Sequence, residues 1–266
     1  MKNVLSLSLV ALLVLCASFV LQTTKKFTPP GIVSVNDSLY FDETEISNLQ
    51  WREYEDWVKQ KFGASSPEHA KAIPDTLVWR VALSEDYYEE QYYNPKFKDH
   101  PVVGISHEQA AAYCKWRTAR VRQVMETDAK GKEVLPKSIN YRLPSKAEWE
   151  EVARADFSEK TKQQLSKKKW QGAQLYNAVR YDSTYIGTGK VNPKATITAP
   201  VYMYLPNKLG IHNLFGNVGE MISEEGVYKG GGWADKMDEL KAEKDYSYEK
   251  PTATVGFRCA CEVKWK

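Results

Sequence analysis

The sequence predicts an irregular, loop-rich α+β fold, and three observations lead there. Three amphipathic stretches each open on a Ser-x-x-Gln or Ser-x-x-Glu box, and short apolar runs of extended character stand near the amino terminus. After Arg154 the apolar runs are broken by Gly, Asn and Pro instead of alternating with helices. A doubly wound parallel sheet needs that alternation, so this class is excluded.

Ile32-Val33-Ser34-Val35 and Ser38 to Glu43 read as strands. The first helix starts after Ser47, where the Ser oxygen and the Gln50 side chain satisfy amide donors left open at a helix start. Tyr54, Trp57, Val58, Lys61 and Phe62 then recur at helical spacing. Ser106 and Gln109 open a second helix with Ala110, Tyr113, Cys114, Arg117 and Val121 along one side. Ser145 and Glu148 open a third, through Trp149, Val152 and Ala153, and Pro144 keeps the chain from entering it earlier. Glu148 is thereby assigned to capping, and Glu150 and Glu151 to a solvated face, which leaves no acid/base carboxylate pair. Ser158 to Lys169 is polar and Lys-rich and reads as a solvated helical insertion.

With 266 residues and 42% hydrophobic content the chain can bury one large core, and a single domain is expected. Lys plus Arg total 37 against 34 Asp plus Glu, and Lys167-Lys168-Lys169 is the one block of like charge. That balance argues against nucleic acid as the main partner. The 16 Tyr and 8 Trp fill an interior whose OH and NH groups need partners, and such rings also serve binding faces. His69, His100, His107 and His212 show no zinc spacing, and His107 reads as a packing residue. Gly230-Gly231-Gly232 is not followed by Lys-Ser or Lys-Thr, so close packing explains it better than phosphate binding.

Met1-Lys2 followed by the apolar run Val4 to Leu21 reads as an export signal or membrane anchor over residues 1–21, with a linker at 22–31 and the domain at 32–266. Cleavage near Ala17 or Ser18, retention as an anchor and lipidation at Cys16 compete, and Leu15 before Cys16 disfavours the last. In each case the chain is exported, to the periplasm or the outer membrane, where disulfides persist. Beyond that segment Cys114, Cys259 and Cys261 remain, and odd arithmetic leaves one bridge and one spare thiol. An extended segment there is taken to turn Cys261 to the face opposite Cys259.

Five ordered segments resemble the formylglycine-generating enzyme (sulfatase-modifying factor) family. They are Phe41 to Asn48; His100 to Ser106 leading to Ala112-Tyr113-Cys114-Lys115-Trp116; Tyr141 to Glu150; Gly210 to Glu220; and Lys229 to Trp233 followed by Gly256-Phe257-Arg258-Cys259. The resemblance implies a compact, irregular α+β domain related to C-type lectin folds. Within the family, Pro74 to Trp79 and the Tyr-rich stretch Tyr87-Tyr88 to Tyr92-Tyr93-Asn94-Pro95 look most like gliding-motility lipoproteins K and J of the type IX secretion apparatus.

Family enzymes oxidise a sulfatase Cys with Cu(I) held by two thiolates, and the resemblance places Asp235 and Leu240 at those positions. Neither residue replaces a soft thiolate, so copper is not expected. The resemblance further implies a Cys114–Cys259 disulfide, with Cys261 spare. It also implies a calcium loop made of the Asn213 side chain, the Gly216 and Val218 carbonyls and the Glu220 carboxylate, hard oxygen donors that suit Ca²⁺. Asn177 and the Ala178 carbonyl begin a second family site whose acidic partner is not recognisable between Ile186 and Asn192. The expected function is a non-catalytic envelope protein that binds other envelope or secretion-machinery proteins and reaches the membrane through its N-terminal segment. A sulfatase-modifying oxidase with an altered metal site is the first alternative, and calcium-dependent glycan binding, with Trp233-Ala234-Asp235, the second.

Overall fold

A computed structural model describes residues 26–79, 92–127, 134–168, 175–178 and 197–265. The export segment and Cys16 therefore lie outside the described residues, and none of the described helices is long and apolar enough to cross a membrane.

The first sheet joins β1 (Ile32–Ser34), β2 (Leu39–Asp42), β8 (Ala260–Lys264) and β3 (Ser138–Arg142) in the antiparallel order β1-β2-β8-β3. Chain start and chain end thus meet at its centre. Side chains alternate across a strand, and both faces of this sheet are covered. Tyr40, Cys259, Cys261 and Val263 enter one core, whereas Leu39, Phe41 and Ala260 enter another with Trp149, Ile211 and Ile222. Cys259 and Cys261 accordingly share a face, against expectation, because residues two apart in an extended chain point the same way.

Helices α1 (Asn48–Phe62), α2 (Pro67–Ala72) and α3 (His107–Thr127) build the first core. Capping boxes open α1 at Ser47 and α3 at Ser106, with both reciprocal bonds formed in each. Trp51 of α1 stacks on Tyr113 of α3 at 5.5 Å between centroids and meets Phe257 edge-on at 5.9 Å. Its Nε1–H donates to the Ala72 carbonyl at 2.9 Å, which ties α2 to the pair. Phe62, expected on the buried stripe, is 46% exposed at the end of α1, where it meets Trp57 edge-on at 6.3 Å.

The second sheet has the order β6-β5-β4-β7, from β4 (Gly219–Met221), β5 (Val227–Lys229), β6 (Tyr246–Ser247) and β7 (Val255–Gly256). Only β4 and β7 run parallel in it. The Lys-rich insertion forms α5 (Glu159–Leu165) with no buried residue, as its composition requires. Residues 26–31 do not hang free as a linker. Phe27 N–H donates to Val134 O at 3.0 Å, Phe27 packs on the first core and Glu43 N–H donates to Gly31 O at 3.0 Å.

Helix α4 (Lys146–Ala153) is opened by the Ser145–Glu148 box. Glu148 also accepts two bonds from Arg142 at 2.6 and 2.8 Å, and Arg142 Nε reaches Glu262 at 2.7 Å, so one guanidinium links β3, α4 and β8. The Arg142 bonds, aided by Ser145 and opposed by partial burial, pull the Glu148 pKa down to about 2. A depressed carboxylate contributes stability above its unfolded value near 4.5 and loses it as pH falls through the folded value. Glu148→Gln should therefore flatten the fall of the melting temperature between about pH 4.5 and 2. Identical acid limbs for the two proteins would show that Glu148 does not carry it.

Candidate functional site

The segment from Leu209 to Val218 lacks regular structure, and its course is set by four residues with positive φ, Gly210 (φ 92°), Asn213 (φ 52°), Gly216 (φ 74°) and Asn217 (φ 60°). Asn tolerates this region better than most residues. At Gly216 a Cβ would stand 2.6 Å from the Asn177 carbonyl oxygen, so a side chain is excluded there.

Both Asn side chains turn inward onto Glu45, in the loop after β2. Asn213 Nδ2 donates to Glu45 Oε2 at 3.1 Å and to Val201 O at 2.9 Å. Asn217 Nδ2 donates to Glu45 Oε1 at 2.8 Å and to Ala199 O at 3.1 Å. Asn217 Oδ1 accepts from Ala199 N–H at 2.7 Å and from Asn177 Nδ2 at 3.0 Å. Three separate stretches of loop are thereby tied to one carboxyl group.

Next to Glu45 lies a fully buried ion pair. Arg258 Nη2 meets Glu220 Oε1 at 2.5 Å and Arg258 Nε meets Oε2 at 2.7 Å, with neither side chain exposed. Trp149 Nε1–H also donates to Oε2 at 2.7 Å, and the remaining Arg258 donors reach the Asp42 and His212 carbonyls. Two carboxylates therefore face one guanidinium. Burial, with a contribution from Glu220 and against the pull of Arg258 and Asn217, pushes the Glu45 pKa up to about 8. On the other side of β2, Asp42 receives Arg117 at 2.7 and 2.8 Å and the Cys259 amide at 2.8 Å.

The four residues expected to hold calcium lie on this loop and at the start of β4. Asn213 Oδ1 is buried and without a hydrogen-bond partner among the described residues, which fits a cation ligand. Glu220, however, is no free ligand, because its oxygens already accept three donors, and a cation would share it with Arg258. At the weaker site, Asn177 spends its amide on Ile197 O at 2.9 Å and on Asn217, and its carbonyl on Asn217 N–H at 2.8 Å. Ala178 lies beside it, buried, and the stretch 186–192 is outside the described residues.

Asp235 and Leu240 do converge. A Cβ on Gly231 (φ 66°) would lie 2.6 Å from Leu240 Cδ2 and 3.3 Å from Asp235 Oδ2. Asp235 Oδ2 accepts Gly232 N–H at 2.7 Å while Asp235 N–H returns a bond to Gly232 O at 3.0 Å, so the carboxylate closes a turn. A hard, engaged oxygen and a methyl group do not fit Cu(I). The thiols are elsewhere. Cys114 Sγ and Cys259 Sγ touch at 3.5 Å in the first core, as thiols, and Cys261 is buried on the same face. Burial pushes the Cys261 thiol up to about 12 and that of Cys259 well above its ordinary value.

Sequence reasoning missed Glu45, Arg258 and Lys229. Lys229 has no exposed side chain and bridges Glu150 at 2.9 Å and Asp245 at 2.8 Å, so Glu150 does not lie on a solvated face. Arg258 and Lys229 stand inside apolar or Gly-rich runs, the signal that could have marked them, whereas Glu45 stands in the polar stretch Asp42-Glu43-Thr44-Glu45 and carries no such signal. His107 is more than packing, since its Nε2 bonds Ile222 O at 2.9 Å.

Two small sheets clasped by long loops around a buried polar centre define a domain of the irregular sulfatase-modifying-factor class. The family model described as the sulfatase-modifying factor enzyme 1-like domain matches residues 10–263, and the chain belongs to that family. It is 25% identical to the formylglycine-generating enzyme of Bos taurus, over 85% of this chain and 66% of that protein. With the enzyme of Thermomonospora curvata it shares 28% identity over 62% of this chain and 51% of that protein. With the serine/threonine-protein kinase Pkn1 of Chlamydia trachomatis it shares 27% identity, over 64% of this chain and 25% of the kinase. The chain thus spans a quarter to two thirds of these relatives. The crystal structure of CarF superposes with a TM-score of 0.52 at 18% identity, covering 90% of this chain and 96% of that one, which supports the fold.

Arg258→Met leaves the Glu220 carboxylate buried without a cation. Urea unfolding should show a loss of about 3–5 kcal/mol. A loss under about 1 kcal/mol would place this pair among dispensable contacts.

Proposed function

We propose that the chain is a binding or assembly protein of the cell envelope, built on the formylglycine-generating-enzyme fold without its copper chemistry. The observation that carries this reading is the loop after β5, where Asp235 closes a turn and Leu240 packs on Gly231 at the positions of the family's thiolates. The test is copper titration of the purified chain with an aldehyde assay on a Cys-containing peptide. No aldehyde above the copper-free control is expected, and copper-dependent turnover would restore the alternative, an oxidase with an altered metal site. That alternative draws on the names of the Bos taurus and Thermomonospora curvata relatives.

The assignment to gliding-motility or type IX secretion machinery rests on the likeness of Pro74 to Trp79 and of the Tyr-rich stretch Tyr87 to Pro95, whose part up to residue 91 lies outside the described residues, to lipoproteins K and J. Partners are then other envelope proteins, and residues 1–21 direct export. Glycan binding is not carried further. Trp233 Nε1–H is spent on Ala253 O at 2.9 Å and Asp235 Oδ2 on the Gly232 amide at 2.7 Å, which takes the indole donor and one carboxylate oxygen from a sugar hydroxyl.

Calcium is the metal this reading includes, held by Asn213 Oδ1, the Gly216 and Val218 carbonyls and a Glu220 carboxylate shared with Arg258. It would stiffen the loop, a structural role. Chelation should lower the melting temperature of the native chain, and Asn213→Ala should remove the difference between calcium-loaded and chelated protein. An unchanged melting temperature on chelation of the unaltered protein would rule the metal out.

A further inference from the structure

The end of the first sheet where β8 finishes and β3 begins has no part in the reading above. Ser138 of β3 stands opposite Lys264 of β8, and the Lys137 amide donates to the Lys264 carbonyl at 2.7 Å, so two lysines sit at the same strand ends. The stretch that follows the apolar N-terminal run is laid beside them. Lys26 pairs with Val134 in an isolated parallel bridge, and its ammonium stands over the Trp265 ring at 4.7 Å. The Trp265 indole donates to the Asp37 carbonyl at 3.1 Å, in the turn between β1 and β2, which fixes the ring at this end.

Lys26, Lys137 and Lys264 are exposed, and so is Val134. Arg122 of α3 lines a groove with Lys137 and adds a fourth exposed cation. The exposed anions at this end are Asp37 and Glu126, so among the described residues the balance is positive. Glu262, further back along β8, is held by Arg142. Lysines in excess beside a half-buried indole suit a bilayer interface, where ammonium groups meet anionic headgroups and the ring sits at their level.

Chain connectivity favours that surface over a protein partner. The apolar run ends at Leu21, and Lys26 follows five residues on. Five residues span at most about 18 Å when fully extended. An apolar run kept in a bilayer therefore holds this end of the first sheet within that reach of the headgroups.

We propose that Lys26, Lys137, Lys264 and Trp265 form a surface that lies on an anionic bilayer, with residues 1–21 retained as the anchor. This deepens the envelope reading, rests on it for delivery to a membrane and selects retention among the three fates of the segment. The basic excess and the placement of the indole are independent of that reading.

The test is tryptophan fluorescence of the full chain reconstituted in nanodiscs, of phosphatidylcholine alone or mixed with phosphatidylglycerol, with and without bromine on the acyl chains. Bromine should quench the unaltered chain in the anionic discs, and Trp265→Phe should lose that quenching. Lys26→Glu, Lys137→Glu and Lys264→Glu combined, three exposed changes, should bring it down to the level of the phosphatidylcholine discs. Equal quenching of the unaltered chain and Trp265→Phe, or undiminished quenching of the triple variant, overturns the proposal. So does an intact mass lacking residues 1–21 for the chain isolated from its own cells, a result that leaves export standing. Copper-dependent aldehyde formation would refute the non-catalytic reading while leaving the quenching unaffected.

Discussion

The Glu220–Arg258 pair is the constraint on which the architecture turns. A guanidinium removed entirely from water has a desolvation cost of several kcal/mol, and it survives there only when every donor is used and a carboxylate stands opposite. Arg258 stands opposite Glu220, has a bond on each of its three nitrogens and reaches three elements at once: β4 through Glu220, β2 through the Asp42 carbonyl and the left-handed loop through the His212 carbonyl. A long, irregular loop has little regular hydrogen bonding to hold it. Here a buried charge takes the place of a ladder.

Glu45 extends the same logic outward. The carboxyl group sits where Arg258 is already committed, so its two oxygens are left to the amides of Asn213 and Asn217. Those amides then fix the carbonyls of Val201 and Ala199, and through Asn177 the carbonyl of Ile197. Loop positions far apart in sequence are thus fixed by polar groups whose misplacement would leave unsatisfied donors in the interior. Specificity of the loop course, more than raw stability, is what such a network provides.

The elements that were legible in the sequence are those with local causes. Three capping boxes, the Lys-rich solvated helix and the β1 and β2 strands follow from side chains within a few positions of one another. The pairing of chain start with chain end through β2 and β8 has no local signature, because a two-strand register is set by both faces being buried together. The same limit applies to the site. Asn213, Gly216 and Glu220 stand in one motif and could be singled out, but Glu45 lies 168 residues from Asn213, in the polar stretch Asp42-Glu43-Thr44-Glu45 where nothing local sets it apart from its acidic neighbours. Glu150 misled for a related reason: its partner Lys229 is remote, and helical periodicity alone placed it in solvent.

The convergence of Asp235 and Leu240 on Gly231 also bears on descent. On the proposed reading, the turn that would bring two thiolates together stands here with ordinary residues in both places, and Asp235 is part of what shapes it. Scaffold and chemistry are separable on that reading: a lineage discards the reagents at the cost of two side chains while the frame that presented them stays intact and open to other uses.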